Sequence, residues 1–252
     1  VTPTFTVLIG SIGRPALRQA LDSIARQARV PGDQVIVCFD AFEQSAEDLA
    51  ARCALVESYG EGFIAITHDA GYHWLGVEQI NHALRTVPIT GSHVCTIGDD
   101  DVFVDGAYAR LRPLCAIDPD RAVLYRFLAP WRELLWDRPR MQMSRISGCC
   151  IAAPRAAVGL MSTRQYVEHD YDWMIDVLQT SGRYPLWVDD VLVIARPDVR
   201  GDDVAHRGLL RCWRCQDWRF LEDVNAADPT CPRCRAELVV PAGAVGAIAG
   251  AR

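Results

Sequence analysis

The chain has 252 residues, a formal net charge of −6 and 26 cationic side chains, every one of them arginine. The absence of lysine excludes a pyridoxal Schiff base, a phosphate-binding loop ending in Gly-Lys-Ser/Thr, and a kinase lysine. The length suits one large domain, or one domain with a small module, and the acidic balance is a poor match to non-specific nucleic-acid binding. No apolar run reaches the roughly 18 residues of a membrane span. Residues 1–10 have no charged segment ahead of an apolar stretch and read as a strand, not a signal peptide.

Residues 4–9 are apolar and β-branched, as in a strand. Residues 10–14 follow as a loop, and Pro15 opens a helix to about 28. The run 34–39 (QVIVCF) predicts a buried strand ending at Asp40. Ser45 caps a helix through 56, with Asp48 at its third position. A third strand is expected at 63–67, a helix at 75–87 and a fourth strand at 93–97, followed at once by Asp99-Asp100-Asp101. Asp105 then starts a helix to about 117. Beyond it, 122–128 predicts a strand, 131–136 a short helix or loop, and 145–153 a strand. Pro154 opens a short helix, 170–180 is a helix, and 186–188 and 191–195 are short strands. Four strand–helix units in a row argue for a parallel sheet with helices on both faces. Ligands in such sheets sit at the carboxyl ends of strands, where Asp40 and the aspartate triplet both fall.

Three consecutive aspartates repel one another unless a cation neutralises them. Asp99 and Asp101 are two residues apart and can approach a divalent cation from one turn. Hard oxygen ligands suit magnesium or manganese, which also engage phosphates.

With these residues in view, the chain resembles the nucleotide-sugar-dependent glycosyltransferases of the GT-A fold, in particular family 2, over roughly residues 4–195. TVLIGSIGRP is similar to the family's first strand and loop, with Ser11 and Arg14 toward the donor. VIVCFDAF is similar to its second strand, whose terminal aspartate, here Asp40, would contact the nucleobase. HDAGYHWLGVEQINHAL supplies Gly71 and Asn81, and CTIGDDDVFVDGAYARL the Asp-x-Asp strand end. SGCCIAAPRAAV resembles the strand lining the acceptor side, and EHDYDWMIDVL the helix start that carries the catalytic base. His169 stands where a glutamate is usual, so Asp170 is the expected base and Asp172 and Glu168 stay open. The resemblance implies a GT-A (Rossmann-like) α/β fold with a mixed, mainly parallel sheet flanked by helices. It also implies a manganese- or magnesium-dependent transfer of sugar to a hydroxyl, with inversion. Asp99 and Asp100 would contact the donor, Asp99 and Asp101 the metal, and His206 would add a third metal contact. Trp131, Trp136 and Trp173 are candidates to stack on an acceptor or to fill the core.

Ten cysteines divide into two sets. Cys38, Cys53, Cys95, Cys115, Cys149 and Cys150 are scattered in apolar context, which suggests a reducing, cytoplasmic compartment. Cys212-x-x-Cys215 and Cys231-x-x-Cys234, with 15 residues between the pairs, have zinc-ribbon spacing. Four thiolates would close a structural zinc site. The expected division is 1–205 for the transferase domain, 206–240 for the ribbon and 241–252 for a flexible tail. Trp213, Arg214, Trp218 and Arg219 interleave aromatic and basic residues, which suits stacking and phosphate pairing. A hydroxymethylated base in DNA is therefore one expected acceptor, beside a glycan, a protein or a small molecule. The rivals are a nucleotidyltransferase and an inactive binding module.

Overall fold

A computed structural model of the chain describes residues 2–42, 44–69, 76–129, 134–136, 139–142, 146–162, 169–195, 209–211 and 218–220. Two compact units emerge, Val1–Gly201 and Asp202–Arg252.

In the first unit, continuous apolar runs become strands buried on both faces. β1 (Phe5–Ser11) and β2 (Gln34–Asp40) are almost wholly buried. β3 (Phe63–His68), β4 (His93–Thr96), β5 (Asp101–Phe103), β6 (Val123–Leu128), β7 (Leu134–Leu135), β8 (Ile151–Pro154) and β9 (Leu186–Ala195) complete the sheet. Five helices flank it: α1 (Leu17–Ala25), α2 (Ala46–Glu57), α3 (Val77–Thr86), α4 (Ala107–Ile117) and α5 (His169–Ser181). α1 shows the packing rule plainly. Leu17, Ala20, Leu21 and Ile24, spaced i, i+3, i+4, i+7, form one stripe and are all buried. Ser45 caps α2 as expected, accepting from the Asp48 N–H at 3.0 Å.

The strand order is β3-β2-β1-β4-β8-β6-β9-β5, with β7 on β6. β3, β2, β1 and β4 run parallel. β8 then enters antiparallel between β4 and β6, and β5 closes antiparallel on β9. Within this sheet β3, β2, β1, β4, β6 and β9 point one way, and β8, β7 and β5 point the other. The sheet is thus mixed and mainly parallel, as expected. β8 follows directly on a short 3₁₀ turn, Gly148–Cys150.

β9 also departs from expectation. Asp189 and Asp190 seemed to break it into two strands. They sit instead at an irregularity where Tyr125 faces Val188 but Arg126 faces Val191. Arg126 pairs with Asp189 at 3.1 Å, so the bulge is neutralised and the strand continues. Trp136 and Trp173 are 1% exposed and bond the Tyr125 and Gly159 carbonyls, so both belong to the core and neither offers a face to an acceptor. Trp131 lies outside the described residues.

His93 opens β4, fully buried, with Nδ1 3.1 Å from Ser92 Oγ. Burial pushes its pKa down from 6.5 to about 4, against a smaller opposing effect of Asp120. Histidine is therefore neutral in the fold, and the unfolded chain takes up a proton first as pH falls. The stability this contributes is present above pH 6.5 and is lost on descending toward pH 4. At pH 4.5 the loss amounts to about 2–3 kcal/mol. Urea unfolding of His93→Phe at pH 7 and 4.5 is expected to show a correspondingly smaller acid loss than the unsubstituted chain. An equal loss in both proteins rules this origin out.

In the second unit the described residues form one antiparallel hairpin, β10 (Leu209–Arg211) with β11 (Trp218–Phe220). Arg211 faces Trp218, so the ends of segment 212–217 are brought together.

Candidate active site

Parallel strands leave their carboxyl ends open because the chain must climb away into the next helix. Here the ends of β1 and β4 lie side by side, and a cleft of about 530 Å³ opens there. Ser11, Arg14, Asp99, Asp100, Asp101 and Asp170 all line it. The floor needs two glycines. A Cβ on Gly10 would lie 2.6 Å from the Gly76 carbonyl oxygen, and Gly76 itself has φ +77°. This close approach lets the start of α3 press against the end of β1.

The aspartate loop is tied down by the loop after β1. Ser11 Oγ donates to Asp99 Oδ2 at 2.8 Å and accepts from the Gly13 N–H at 2.8 Å. Arg14 Nη1 donates to Asp99 Oδ1 at 3.2 Å and to Asp100 Oδ2 at 2.6 Å. Burial raises the Asp99 pKa above the usual carboxylate range, while the Ser11 hydroxyl and Arg14 pull the other way. Asp101 turns elsewhere. Its Oδ2 accepts from the Gly98 N–H at 3.3 Å and from the Cys149 thiol at 3.6 Å. The Arg14 guanidinium is thus shared by Asp99 and Asp100. Among the described residues, no group of three His, Cys, Asp or Glu side chains comes together to hold a metal.

Asp170, in the first turn of α5, is positioned by the turn before β8. The Gly148 N–H donates to its Oδ2 at 2.8 Å, and Ser147 Oγ donates to the same oxygen at 3.3 Å. The Gly148 carbonyl in turn accepts from Thr96 Oγ1, at the end of β4, at 2.8 Å. A Cβ on Gly148 would sit 3.1 Å from Asp170 Cβ and 3.2 Å from Thr96 Oγ1. A glycine here lets three elements meet on one carboxylate.

Two expected donor contacts are placed differently. Asp40 Oδ1 accepts from the Phe42 N–H at 2.9 Å, closing a local turn, and Asp40 does not line the cleft. Asn81 is fully buried and clamps Met161: its Nδ2 donates to the Met161 carbonyl at 2.9 Å and its Oδ1 accepts from the Met161 N–H at 2.8 Å. Asn81 therefore supports the cleft wall through Met161, which does line it. Gly71, Glu168, His206, Cys212, Cys215, Cys231 and Cys234 lie outside the described residues. Asp172 is not among the cleft-lining residues.

Ser147, Gly148 and Cys149, from the segment resembling the acceptor side but not singled out in the sequence, line the cleft, as does Gln79. Gln79 Oε1 is buried without a hydrogen-bond partner among the described residues. Burial pushes the Cys149 thiol well above its ordinary range, which keeps it a neutral donor to Asp101. The six cysteines of this unit are free thiols.

No protein-family model and no curated protein sequence matches the chain. Solved structures do share its fold. S. aureus TarS 1-349 superposes with a TM-score of 0.57 at 15% identity, covering 78% of this chain and 62% of that one. The same protein in complex with UDP-GlcNAc gives 0.55 at 14% identity, covering 76% and 58%. The mannosyltransferase PcManGT from Pyrobaculum calidifontis, in complex with GDP-Man and Mn2+, gives 0.57 at 16% identity, covering 78% and 57%. The chain thus spans less than two thirds of each of these proteins. No helix among the described residues is long and apolar enough to cross a membrane. The fold is that of GT-A-type glycosyltransferases: a mixed α/β sheet flanked by helices, with its cleft at the ends of β1 and β4.

Proposed function

We propose that the chain is a glycosyltransferase that moves a sugar from a nucleotide-sugar donor to an acceptor hydroxyl, with inversion. The observation that carries this reading is that Asp170 and the Asp99–Asp101 loop line one cleft. Asp170 takes the proton of the acceptor hydroxyl, the hydroxyl oxygen bonds to the anomeric carbon, and the bond to the diphosphate breaks on the far side. Ser147 and the Gly148 N–H hold one carboxylate oxygen and so fix the direction of the base. Ser11 and Arg14 hold the aspartate loop toward the donor.

Four carboxylates and one guanidinium make the described lining anionic, a setting that a diphosphate enters only with a cation. Magnesium and manganese commonly bind through one or two carboxylates together with substrate phosphates, so this donor set fits them. Asp99 and Asp100 would hold such an ion, with Asp101 as a further candidate, and it would act as a Lewis acid on the departing diphosphate.

A thermal-shift screen of nucleoside diphosphates with manganese tests the donor site. A ligand at 100 times its Kd adds about 2.7 kcal/mol, so one base should raise the midpoint clearly. No shift with any of them counts against the reading.

The second unit supports a zinc-ribbon assignment for 206–240, followed by a tail at 241–252, because β10 and β11 bring together the ends of the segment that carries Cys212 and Cys215. One zinc per chain is the expected elemental analysis. Cys231→Ser should lose that zinc and leave the unit open to protease; an unchanged metal content removes the ribbon. Free thiols throughout the first unit favour a reducing, cytoplasmic setting. Among acceptors, the ribbon's Trp and Arg content favours a hydroxymethylated base in DNA. Incubation of such duplex DNA with nucleotide-sugars should add one hexose mass to the modified nucleoside, and its absence would leave a glycan, protein or small-molecule acceptor.

A further inference from the structure

Arg14 is tied to the two carboxylates proposed above to hold a divalent cation. Its Nη1 lies 3.2 Å from Asp99 Oδ1 and 2.6 Å from Asp100 Oδ2. The two carboxylates are largely buried, with side chains 6% and 16% exposed, while the Arg14 side chain is 41% exposed. The anions are therefore fixed by the fold and the cation is the movable partner. Two cations cannot both sit within about 3 Å of one oxygen without strong mutual repulsion.

Resting on the reading of this cleft as a metal-assisted donor site, we propose that Arg14 competes with the divalent cation for Asp99 and Asp100. The guanidinium leaves these oxygens as the metal takes them. It thereby keeps the loop neutralised, and its metal affinity low, until a metal-bearing donor arrives. Displacement is feasible because a half-exposed ion pair is weak. Swinging outward, the freed guanidinium stays within the cleft that it lines, at the level of the aspartate loop.

The consequence runs against the usual effect of removing a binding-site charge. Arg14→Gln in the full chain, without nucleotide, is expected to bind Mn2+ roughly three- to tenfold more tightly, read from the free Mn2+ signal in electron paramagnetic resonance. Arg14→Gln/Asp99→Asn should return to background. Equal or weaker Mn2+ binding by Arg14→Gln overturns the competition and leaves the metal reading standing. Binding by neither protein, even with UDP or GDP added, overturns both. The unsubstituted chain gives a second test that needs no variant to fold. Mn2+ should accelerate phenylglyoxal modification of Arg14, followed by peptide mass spectrometry, because the side chain is released. Protection of Arg14 by Mn2+ alone overturns the proposal.

Discussion

Asp170→Asn is expected to bind donor normally and to lose about 10²- to 10⁴-fold in kcat, the range over which a positioned general base contributes. The substitution preserves shape. An asparagine oxygen still accepts from the Gly148 N–H that holds Asp170 at 2.8 Å, so the turn before β8 is undisturbed. What is lost is the ability to take a proton from the acceptor hydroxyl. KM for the donor should change little, since the loss falls on an interaction made in the transition state. Two controls separate chemistry from position. Asp172→Asn, outside the cleft lining, should stay within about threefold of the unsubstituted chain. Ser147→Ala removes one donor to Asp170 and should cost about tenfold or less, with the base still present. A full-sized loss in Asp172→Asn, with Asp170→Asn active, would move the base along α5.

Asp33→Ala is expected to destabilise the first unit by about 3–5 kcal/mol, the scale of leaving a buried charge without its partner. Asp33 has a side chain 1% exposed and is bonded on every side. It accepts from the Phe5 N–H at 2.8 Å, from the Val30 N–H at 2.8 Å, and from both terminal nitrogens of Arg112. Arg112 in turn lies over the Phe5 and Tyr108 rings, 4.9 and 5.5 Å from their centroids. The pair thus joins the start of β1, the turn before β2 and helix α4. Removing the carboxylate strands the guanidinium and two backbone donors together. The thermal midpoint should fall by about 10 °C or more. Asp33→Asn/Arg112→Met, which removes both charges, should recover part of the loss. A fall of under about 1 kcal/mol in Asp33→Ala would mean that water reaches Arg112 and rescues it.

What the sequence revealed and what it hid divide along a physical line. β1, β2 and α1 were legible because their burial is written in local periodicity: unbroken apolar runs for strands and an i, i+3, i+4, i+7 stripe for the helix. The aspartate triplet was legible because three like charges after a buried strand require compensation. The identity of the compensating cation was not, since Arg14 and Asp99 are 85 residues apart. The insertion of β8 between β4 and β6 was likewise invisible, because antiparallel pairing over that distance leaves no local signature. Asp40 and Asn81 show a role that the sequence did not reveal. Both are polar residues at positions that suggested ligand contact, and the fold uses both for its own backbone: Asp40 to close a turn at Phe42, Asn81 to clamp Met161. The individual roles of Ser147 and Gly148, within a segment that resembled the acceptor side, were not legible because they lie in contacts with Thr96 and Asp170 that form only in the folded sheet.

In the proposed reaction this cleft breaks the bond between a sugar and a nucleoside diphosphate. The most direct measurement is chromatography of the nucleotide products after incubating the chain with UDP- and GDP-sugars, manganese and candidate acceptors. The unsubstituted chain should release the nucleoside diphosphate from one donor, with release reduced at least about 100-fold in Asp170→Asn. Formation of pyrophosphate, or diphosphate release that is the same in Asp170→Asn, would contradict the proposed reaction.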